Sequence, residues 1–366
     1  MSRHPEILIV GAGMAGASLA YALAGKAKVT ILEAEDLPGY HSTGRSAAFW
    51  SETYGGPLIQ PLTGGSYRFL ADPPADIADR SFLSPRGAIH LARSDGRAAL
   101  DALARTFDGF PLEEMDRARL EAVIPGLKAG WDHGLFEPTC ADIDVARLHA
   151  AFLGYARRRG AELVTNARVE SAEHSRGRWR VRAASGAFEG DVLVNAAGAW
   201  ADDVARRCGE RAIGIRPYRR TIAQLRVDPP VPPDLPLVID AEGNFYFKPE
   251  AGGRLWLSPH DETPSDPCDC AAEELEVAIA VDRLEQVVDW RVERVERRWA
   301  GLRSFAPDRL PVYGYSTSGR RFFWCAGQGG FGIQTAPAAA DLAAALLIGG
   351  ASAIDPAPYS AARFAI

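Results

Sequence analysis

The sequence has few cysteines, no long hydrophobic run and little excess of either charge, and each shortage excludes a class of protein. Five cysteines scattered over 366 residues exclude a disulfide scaffold and favour a reducing, cytoplasmic environment. A formal net charge of only −6 argues against a broad nucleic-acid-binding surface. With 47% hydrophobic and 24% charged residues the composition is that of a globular protein, and the length fits about two domains.

No segment of the sequence looks suited to crossing a membrane. The N-terminal apolar stretch is short and runs directly into glycines, unlike a signal peptide. The longest later run, residues 336–348, contains Pro337 and Asp341 and is too short to span a bilayer. We therefore expect no membrane span, while peripheral contact with a membrane surface stays open.

Residues 7–33 have the pattern of a nucleotide-binding βαβ unit. The run Ile7–Val10 predicts a buried parallel strand, residues 17–24 a helix, and Val29–Leu32 a second strand. Between the first strand and the helix lies G-x-G-x-x-G at residues 11–16, in the context that this motif requires.

Each glycine of this motif has a separate physical role. Gly11 permits the tight turn, Gly13 lets the backbone approach a pyrophosphate, and Gly16 allows the helix to pack closely on the strand. Glu33, at the end of the second strand, is placed to bind ribose hydroxyls. The alternative is a glycine-rich turn followed by an acidic residue by chance.

Two further segments favour FAD over NAD. HSTGRSAA at residues 41–48 comes shortly after Glu33. Its small residues, hydroxyls and Arg45 suit a loop that runs along a diphosphate. The second glycine cluster, GQGGFG at residues 327–332, precedes a helix predicted over 335–347. The N-terminus of that helix would stabilise negative charge on a reduced flavin, although the cluster could also be a plain turn.

The rest of the chain divides into helical and strand-rich parts. Residues 144–159 predict an amphipathic helix, whereas residues 210–300 predict an antiparallel sheet with a proline-rich loop. We therefore predict an α/β protein with a discontinuous Rossmann-like FAD-binding domain and an inserted α+β substrate domain built on an antiparallel sheet. The predicted boundaries are 1–82, 142–208 and 304–366 for the FAD-binding domain, and 83–141 and 209–303 for the substrate domain.

Taken together, the motifs resemble those of a known family. GAGMAG (11–16), HSTGRSAA (41–48), VNAAGAWA (194–201), WAGLRSF (299–305) and GQGGFGIQT (327–335) occur in the order and spacing of the D-amino-acid oxidase and dehydrogenase family of FAD enzymes. Within that family the motifs look most like those of the bacterial D-arginine dehydrogenases.

The resemblance implies a site that binds the substrate carboxylate. It assigns this role to the guanidinium groups of Arg303 and Arg220, helped by the hydroxyls of Tyr246 and Tyr54. The chemistry is sensible in itself, because a planar guanidinium pairs bidentately with a carboxylate. Strand alternation would put Arg220 on the opposite face from Arg219. The alternative is that these arginines form ordinary surface ion pairs.

Two positions depart from the D-arginine dehydrogenase pattern. Phe49 stands where that pattern has a histidine, and Ala88 stands where it has a glutamate that receives a basic side chain. With Trp50 also nearby, we expect a more apolar pocket that favours neutral side chains. His90 is then interpreted as an ordinary strand residue.

The resemblance also implies a set of cofactor contacts, which combines the glycine motifs with neighbouring small residues. The residues expected to bind FAD are Gly11, Gly13, Ala15, Gly16, Glu33, Ala34, Ser42, Thr43, Arg45, Ser46, Ala47, Ala48, Val169, Ala196, Ala197, Gly198, Trp200, Gly329, Gly330, Phe331, Gly332, Ile333 and Gln334. We expect noncovalent binding. We expect no metal, because Cys268 and Cys270 have no partner pair.

These observations predict an FAD enzyme that oxidises a D-amino acid to a 2-imino acid, which water hydrolyses to a 2-keto acid and ammonia. One alternative is oxidation of an N-substituted amino acid, an imino acid or a 2-hydroxy acid. Another is a flavoprotein without catalysis. The electron acceptor stays open between oxygen, a quinone and another molecule.

Overall fold

A computed structural model describes residues 4–364. Its strands are β1 Glu6–Val10, β2 Lys28–Leu32, β3 Phe49–Trp50, β4 Leu83–Pro85, β5 Ala88–Ala92, β6 Glu113–Met115, β7 His133–Glu137, β8 Ala141–Ile143, β9 Glu162–Val164, β10 Val169–Ser175, β11 Arg178–Ala183, β12 Gly186–Gly190, β13 Val192–Asn195, β14 Arg216–Asp228, β15 Leu237–Asp240, β16 Tyr246–Glu250, β17 Arg254–Ser258, β18 Thr263–Pro264, β19 Arg291–Phe305, β20 Val312–Tyr315, β21 Phe322–Ala326 and β22 Gln328–Gly329.

The helices are α1 Met14–Leu23, α2 Gln60–Ala71, α3 Arg97–Thr106, α4 Arg117–Val123, α5 Val145–Arg158, α6 Ala201–Arg207, α7 Glu274–Val287 and α8 Ala336–Ile348. Short 3-10 turns occur at Ser42–Arg45, Ser94–Gly96, Gly198–Trp200, Ala357–Tyr359 and Ala361–Phe364. Within residues 4–364, no helix has the length and apolar character needed to cross a membrane.

A six-stranded sheet in the order β20-β21-β13-β1-β2-β9 carries the N-terminal βαβ unit. Its central strand β1 pairs in parallel with β2 and β13, so Ile7 lies between Val29 and Val192. Helices α1, α5 and α8 pack on one face, and α6 with the small sheet β10-β11-β12 packs on the other, so the strands are buried on both faces, as is usual for parallel sheets. This arrangement brings the carboxyl ends of β1, β2 and β13 to one edge of the sheet.

A second, larger sheet has the order β22-β19-β14-β17-β16-β15-β5-β7-β6, with β18 paired to β14. It is antiparallel as predicted except between β15 and β5, which pair in parallel. Strands β14 and β19 are long and pair over most of their length, from Arg216 opposite Phe305 to Asp228 opposite Arg291. A separate hydrophobic core lies between this sheet and α7.

Several predicted elements are confirmed with shifted ends. The helix after the first glycine motif begins at Met14, three residues before the predicted start, because the glycine loop leads directly into it. The predicted helix at 144–159 is α5, and the Asp144 carboxylate caps it by accepting a hydrogen bond from the Arg147 amide. Strand β19 runs through the charged residues 291–298 into WAGLRSF. The mixed α/β fold is confirmed, while the domain boundaries stay a prediction.

Candidate active site

The first glycine loop lies at the carboxyl end of β1, where it turns the chain into α1. Gly11 has φ +101°, and a Cβ atom there would lie 2.5 Å from the carbonyl oxygen of Ala196. A Cβ at Gly16 would lie 1.9 Å from the carbonyl oxygen of Gly11. The two glycines therefore allow the close approach of loop, helix and neighbouring strand that the motif predicts.

Glu33 directly follows β2 and is 8% exposed. Its Oε2 accepts a hydrogen bond from the Ala12 amide at 2.7 Å, and its Oε1 accepts one from the Glu35 amide at 3.0 Å. The Thr43 hydroxyl accepts a hydrogen bond from the Met14 amide at the start of α1. These bonds hold the segment around residues 42–45 against the glycine loop.

A cavity with an empty volume of about 1650 Å³, counted out to its open mouth, begins at this loop and extends to the larger sheet. The predicted residues in its wall are Gly11, Gly13, Ala15, Glu33, Ala34, Ser42, Thr43, Arg45, Ser46, Ala47, Val169, Ala196, Ala197, Gly198, Trp200, Arg220, Tyr246, Arg303, Gly329, Gly330, Gly332 and Ile333. One cavity thus unites segments that are far apart in the sequence.

Two arginines lie at the end of the cavity formed by the larger sheet. Tyr218 on β14 is opposite Arg303 on β19, so Arg220 and Arg303 are diagonal neighbours on one face. The Arg303 guanidinium forms no hydrogen bond or ion pair within residues 4–364. Its guanidinium carbon lies 5.9 Å from the centre of the Tyr54 ring.

Arg220 is 4% exposed and only partly paired. Its Nε donates to the Asp261 carbonyl oxygen at 2.8 Å and its Nη2 to the Glu262 carboxylate at 3.3 Å, but its buried Nη1 has no partner. Burial and the positive charge of Arg303 lower the pKa of Arg220 to about 10, so it stays protonated at neutral pH. An unpaired donor beside a second cation favours an anionic ligand.

Aromatic side chains flank the two guanidinium groups. The Phe49 ring lies 5.3 Å from the Tyr54 ring and 6.2 Å from the Tyr246 ring, measured between centres. Ala88 is fully buried and packs in the same cluster as Tyr246. At Gly330 a Cβ would lie 2.3 Å from the Tyr54 hydroxyl and 3.1 Å from Cζ of Arg303, so the late glycine turn comes close to both.

Some predicted residues lie elsewhere. Trp50 is 2% exposed and lies in the core beside the six-stranded sheet, where its Nε1 donates to the Thr63 carbonyl oxygen. It faces away from Phe49 because adjacent strand residues point to opposite sides. Phe331 packs against Ile59 and Phe305. Gly16 and Ala48 belong to the tightly packed backbone around the cavity and are not part of its wall.

Two polar residues predicted to contact FAD have side chains that are bonded within the protein. The Arg45 guanidinium forms an ion pair with Asp269 and donates to the carbonyl oxygens of Cys270 and Ala300, so it is not free for a diphosphate. The Gln334 side chain is buried and bonded to the backbone of Ser51 and Tyr54. Both therefore hold the cavity walls together.

Sequence reasoning missed His260 and Glu137 and gave His90 no functional role. The His260 ring lies 5.6 Å from the Tyr246 ring, and its Nδ1 is bonded to the Gly243 carbonyl oxygen at 2.7 Å. Burial and the charges of Arg220 and Arg303 lower the pKa of His260 to about 3. Glu137 and His90 form a buried pair near Tyr54. No local motif marks any of these positions.

The cavity residues fit FAD. The turn at Gly11 leaves no room for a side chain, and Gly13 at the start of α1 lies in the cavity wall, which suits a pyrophosphate at the helix N-terminus. The Glu33 carboxylate lies where a ribose would be bound. A dinucleotide cradle that leads to two guanidinium groups defines the class of FAD-dependent oxidoreductases.

The family model described as "DAO: FAD dependent oxidoreductase" matches residues 6–346, and the chain belongs to this family. It is 25% identical over 377 residues to a glycine oxidase of Pseudomonas putida, covering 97% of this chain and 98% of that one. It is also 27% identical over 263 residues to human mitochondrial dimethylglycine dehydrogenase, covering 69% of this chain and 30% of that one.

Solved structures show the same fold. Glycine oxidase from Geobacillus kaustophilus superimposes with a TM-score of 0.86 at 23% identity, covering 98% of each chain. L-proline dehydrogenase from P. horikoshii gives a TM-score of 0.85 at 20% identity, covering 100% of this chain and 98% of that one. The predictions of an enzyme, of FAD and of the family are confirmed. These relatives do not bear out the finer resemblance to D-arginine dehydrogenase.

Proposed function

We propose that the protein oxidises the Cα–N bond of a D-amino acid with a neutral side chain. The product is a 2-imino acid, which water hydrolyses to a 2-keto acid and ammonia. The observation that carries this proposal is the pair Arg220 and Arg303 in the wall of the cofactor cavity, since one has a buried unpaired nitrogen and the other has no bonding partner within residues 4–364.

A carboxylate satisfies both arginines better than any other common group. Two oxygens in a plane match the two-pronged donor geometry of a guanidinium, and a negative charge offsets the repulsion between the two cations. The phenol groups of Tyr54 and Tyr246 stand beside them and add neutral donors. A substrate carboxylate bound in this way fixes the orientation of the neighbouring Cα–H bond.

When bound, FAD supplies the two-electron acceptor for the oxidation. The chain contributes orientation and charge, and holding the reacting groups in alignment is worth several kcal/mol in general. His260 is neutral near pH 7, because its pKa is lowered to about 3, so no further positive charge opposes the substrate amine. The lone pair of a neutral amine is sufficient to drive loss of the Cα hydride, and we assign no acid–base residue.

The walls around the arginines support a neutral substrate side chain. Of the predicted pocket residues, Tyr246 lines the cavity, whereas Phe49, Tyr54 and Ala88 lie behind its wall. The Phe49 ring packs against the rings of Tyr54 and Tyr246, and the buried Ala88 offers no counter-charge. The buried Glu137 carboxylate is already engaged by protein donors. Burying an unpaired cationic tail here would be costly, whereas apolar groups gain from burial.

A second candidate is the oxidation of an N-substituted amino acid. It is favoured by the names of the relatives, which include dimethylglycine dehydrogenase and, among the structures, an iminodiacetate oxidase from Chelativorans sp. with a TM-score of 0.80. Such a substrate presents the same carboxylate to Arg220 and Arg303. It differs only in the group on nitrogen.

Anaerobic addition of candidate substrates to the holoenzyme tests the proposal, because oxidation of a substrate bleaches the flavin absorbance. The panel contains D- and L-amino acids, glycine, N-methylated amino acids and 2-hydroxy acids. We expect neutral D-amino acids to bleach the flavin fastest. Bleaching only by N-substituted compounds would select the second candidate, and bleaching by none would contradict both. Reoxidation of the bleached enzyme with oxygen or with a soluble quinone then identifies the class of electron acceptor.

A further inference from the structure

The segment that carries Tyr54, residues 51–54, is held by side chains. Glu137 on β7 is 1% exposed, and its Oε2 accepts hydrogen bonds from the hydroxyls of Thr53 at 2.7 Å and Ser51 at 3.0 Å. Its Oε1 accepts a hydrogen bond from the Glu52 amide at 2.8 Å. One buried carboxylate thus binds three consecutive residues of the segment.

His90 on β5 completes this arrangement. Its Nε2 lies 3.4 Å from Oε2 of Glu137 and 3.3 Å from the Thr53 hydroxyl. Burial acts to raise the pKa of Glu137, but the hydrogen bonds from His90, Thr53 and Ser51 outweigh it and lower the pKa. The carboxylate is therefore ionised near neutral pH. His90 is part of strand β5 as predicted, but it also has a polar partner.

The opposite side of the segment is held by Gln334, which precedes α8. Its Oε1 accepts a hydrogen bond from the Ser51 amide at 3.2 Å. Its Nε2 donates to the Tyr54 carbonyl oxygen at 3.2 Å and to the Thr63 hydroxyl at 2.8 Å. The segment is thus bonded on one side to the larger sheet and on the other to the start of α8.

We propose that Glu137 and His90 are a positioning pair that fixes Tyr54 beside Arg303 and so sets the affinity of the site for a carboxylate. Neither residue is part of the cavity wall, so both would act through the 51–54 segment. The inference rests on the proposed function, because it takes the arginine end of the cavity to be the carboxylate site. It assigns a role to buried polar groups that neither the fold nor the oxidation itself explains.

The test uses the FAD-loaded protein and two measurements that do not need turnover. The first is hydrogen–deuterium exchange of residues 51–54, and the second is the Kd of benzoate from its perturbation of the flavin spectrum. In Glu137→Gln we expect faster exchange in this segment and an approximately tenfold weaker Kd. Glu114→Gln, on the exposed strand β6 of the same sheet, is the matched control and should change neither.

A double-mutant comparison shows whether Glu137 acts through Tyr54. In a Tyr54→Phe background, Glu137→Gln should weaken benzoate binding by less than about twofold, because the hydroxyl that it positions is gone. An equal effect in both backgrounds, or unchanged exchange in the segment, would overturn the inference. Should Glu137→Gln fail to retain FAD, Thr53→Val removes a single donor and is subject to the same two criteria.

The same experiment separates this inference from the proposed function. If benzoate binds and responds to the variants as expected while no amino acid reduces the flavin, the oxidation is wrong and the positioning role stands. If amino acids are oxidised but the variants have no effect on exchange or binding, the positioning role is wrong. Absence of benzoate binding to the wild-type protein would overturn the inference together with the carboxylate site.

Discussion

Arg220 and Arg303 are diagonal neighbours on the antiparallel strands β14 and β19, and burial together with the charge of Arg303 lowers the pKa of Arg220. Two like charges this close destabilise the folded protein unless an anion joins them. Arg219, the neighbour of Arg220 in sequence, has its own carboxylate partner in Glu273. Arg220 also has a carboxylate partner in Glu262, but its Nη1 is unpaired and the Arg303 guanidinium has no bonding partner within residues 4–364. A bound carboxylate would supply the missing acceptor.

Arg303→Lys should greatly weaken substrate use while leaving FAD bound. Lysine keeps the charge but loses the two-pronged donor geometry that orients a carboxylate. The expected loss of kcat/KM corresponds to about 2–4 kcal/mol of transition-state stabilisation. Arg298→Lys, on the same strand but 45% exposed and paired with Glu274, is the control and should leave kcat/KM unchanged. An unchanged kcat/KM in Arg303→Lys would remove Arg303 from the site.

Gly11→Ala should abolish FAD binding, because the new Cβ would lie 2.5 Å from the Ala196 carbonyl oxygen and displace the loop. Gly25→Ala is a matched control, since Gly25 also has a positive φ, of +76°, but has no atom within 4 Å of the added Cβ. Both variants place a side chain at a positive φ, so they differ only in the collision with Ala196. The measurement is the ratio of flavin to protein absorbance after purification, and equal ratios in the two variants would contradict the prediction.

Neutral or aromatic D-amino acids should be preferred over D-arginine and D-lysine, as judged by kcat/KM. An apolar side chain gains about 25 cal/mol for each Å² buried, whereas an unpaired cation is costly to bury. Ala88→Glu should shift the ratio of kcat/KM towards the basic substrates. It should also lower thermal stability, because residue 88 lies directly opposite Glu137 in the sheet. Preferred oxidation of D-arginine by the unmodified protein would contradict this prediction.

His260 should make the protein less stable at acidic pH. Its pKa is about 3 in the folded protein and about 6.5 when unfolded, so the unfolded chain takes up an extra proton below pH 6.5. This contribution to stability is intact above pH 6.5 and is lost as the pH falls towards 3. Between pH 7 and pH 4.5, the free energy of unfolding should therefore fall by about 2 kcal/mol less in His260→Asn than in the wild type. Urea denaturation at the two pH values measures this difference, and an equal loss in both proteins would contradict the prediction.

FAD should be bound without a covalent link. The cavity wall contains no cysteine among the described residues, and Cys325, the cysteine nearest in sequence to the late glycine turn, is buried within β21 with its pKa raised to about 12 by burial. Precipitation with acid should release the yellow colour into the supernatant. Colour that remains in the protein pellet would show a covalent bond.

The sequence predicts best what a local pattern determines. The first glycine motif requires a strand before it and a helix after it, so Gly11, Gly16 and Glu33 could be placed from spacing alone. Strand alternation likewise separates Arg219 from Arg220. Applied to β3, the same rule would have separated Trp50 from Phe49, and Trp50 does belong to the core.

The remaining features depend on contacts between distant segments. Glu137 and His90 lie far from Tyr54 in the sequence. The pairing of β5 with β7 brings these two side chains together, and Glu137 then accepts hydrogen bonds from Ser51 and Thr53. His260 comes close to the arginines because the turn before β16 accepts a hydrogen bond from its ring. Arg45 fits a diphosphate loop by its sequence context, but Asp269 provides it with a partner from another part of the chain. No spacing rule encodes such partners.

The central position of β1 has a consequence for folding during synthesis. During synthesis β1 emerges well before one of its two neighbours, β13, which follows only at residues 192–195, and the cavity also needs Gly332 and Ile333. Strands that are far apart in the sequence pair slowly, and until they do, the unpaired edges of the sheet are prone to aggregation. Because FAD stabilises only the completed fold, the yield of folded protein in a cell should rise with its flavin supply.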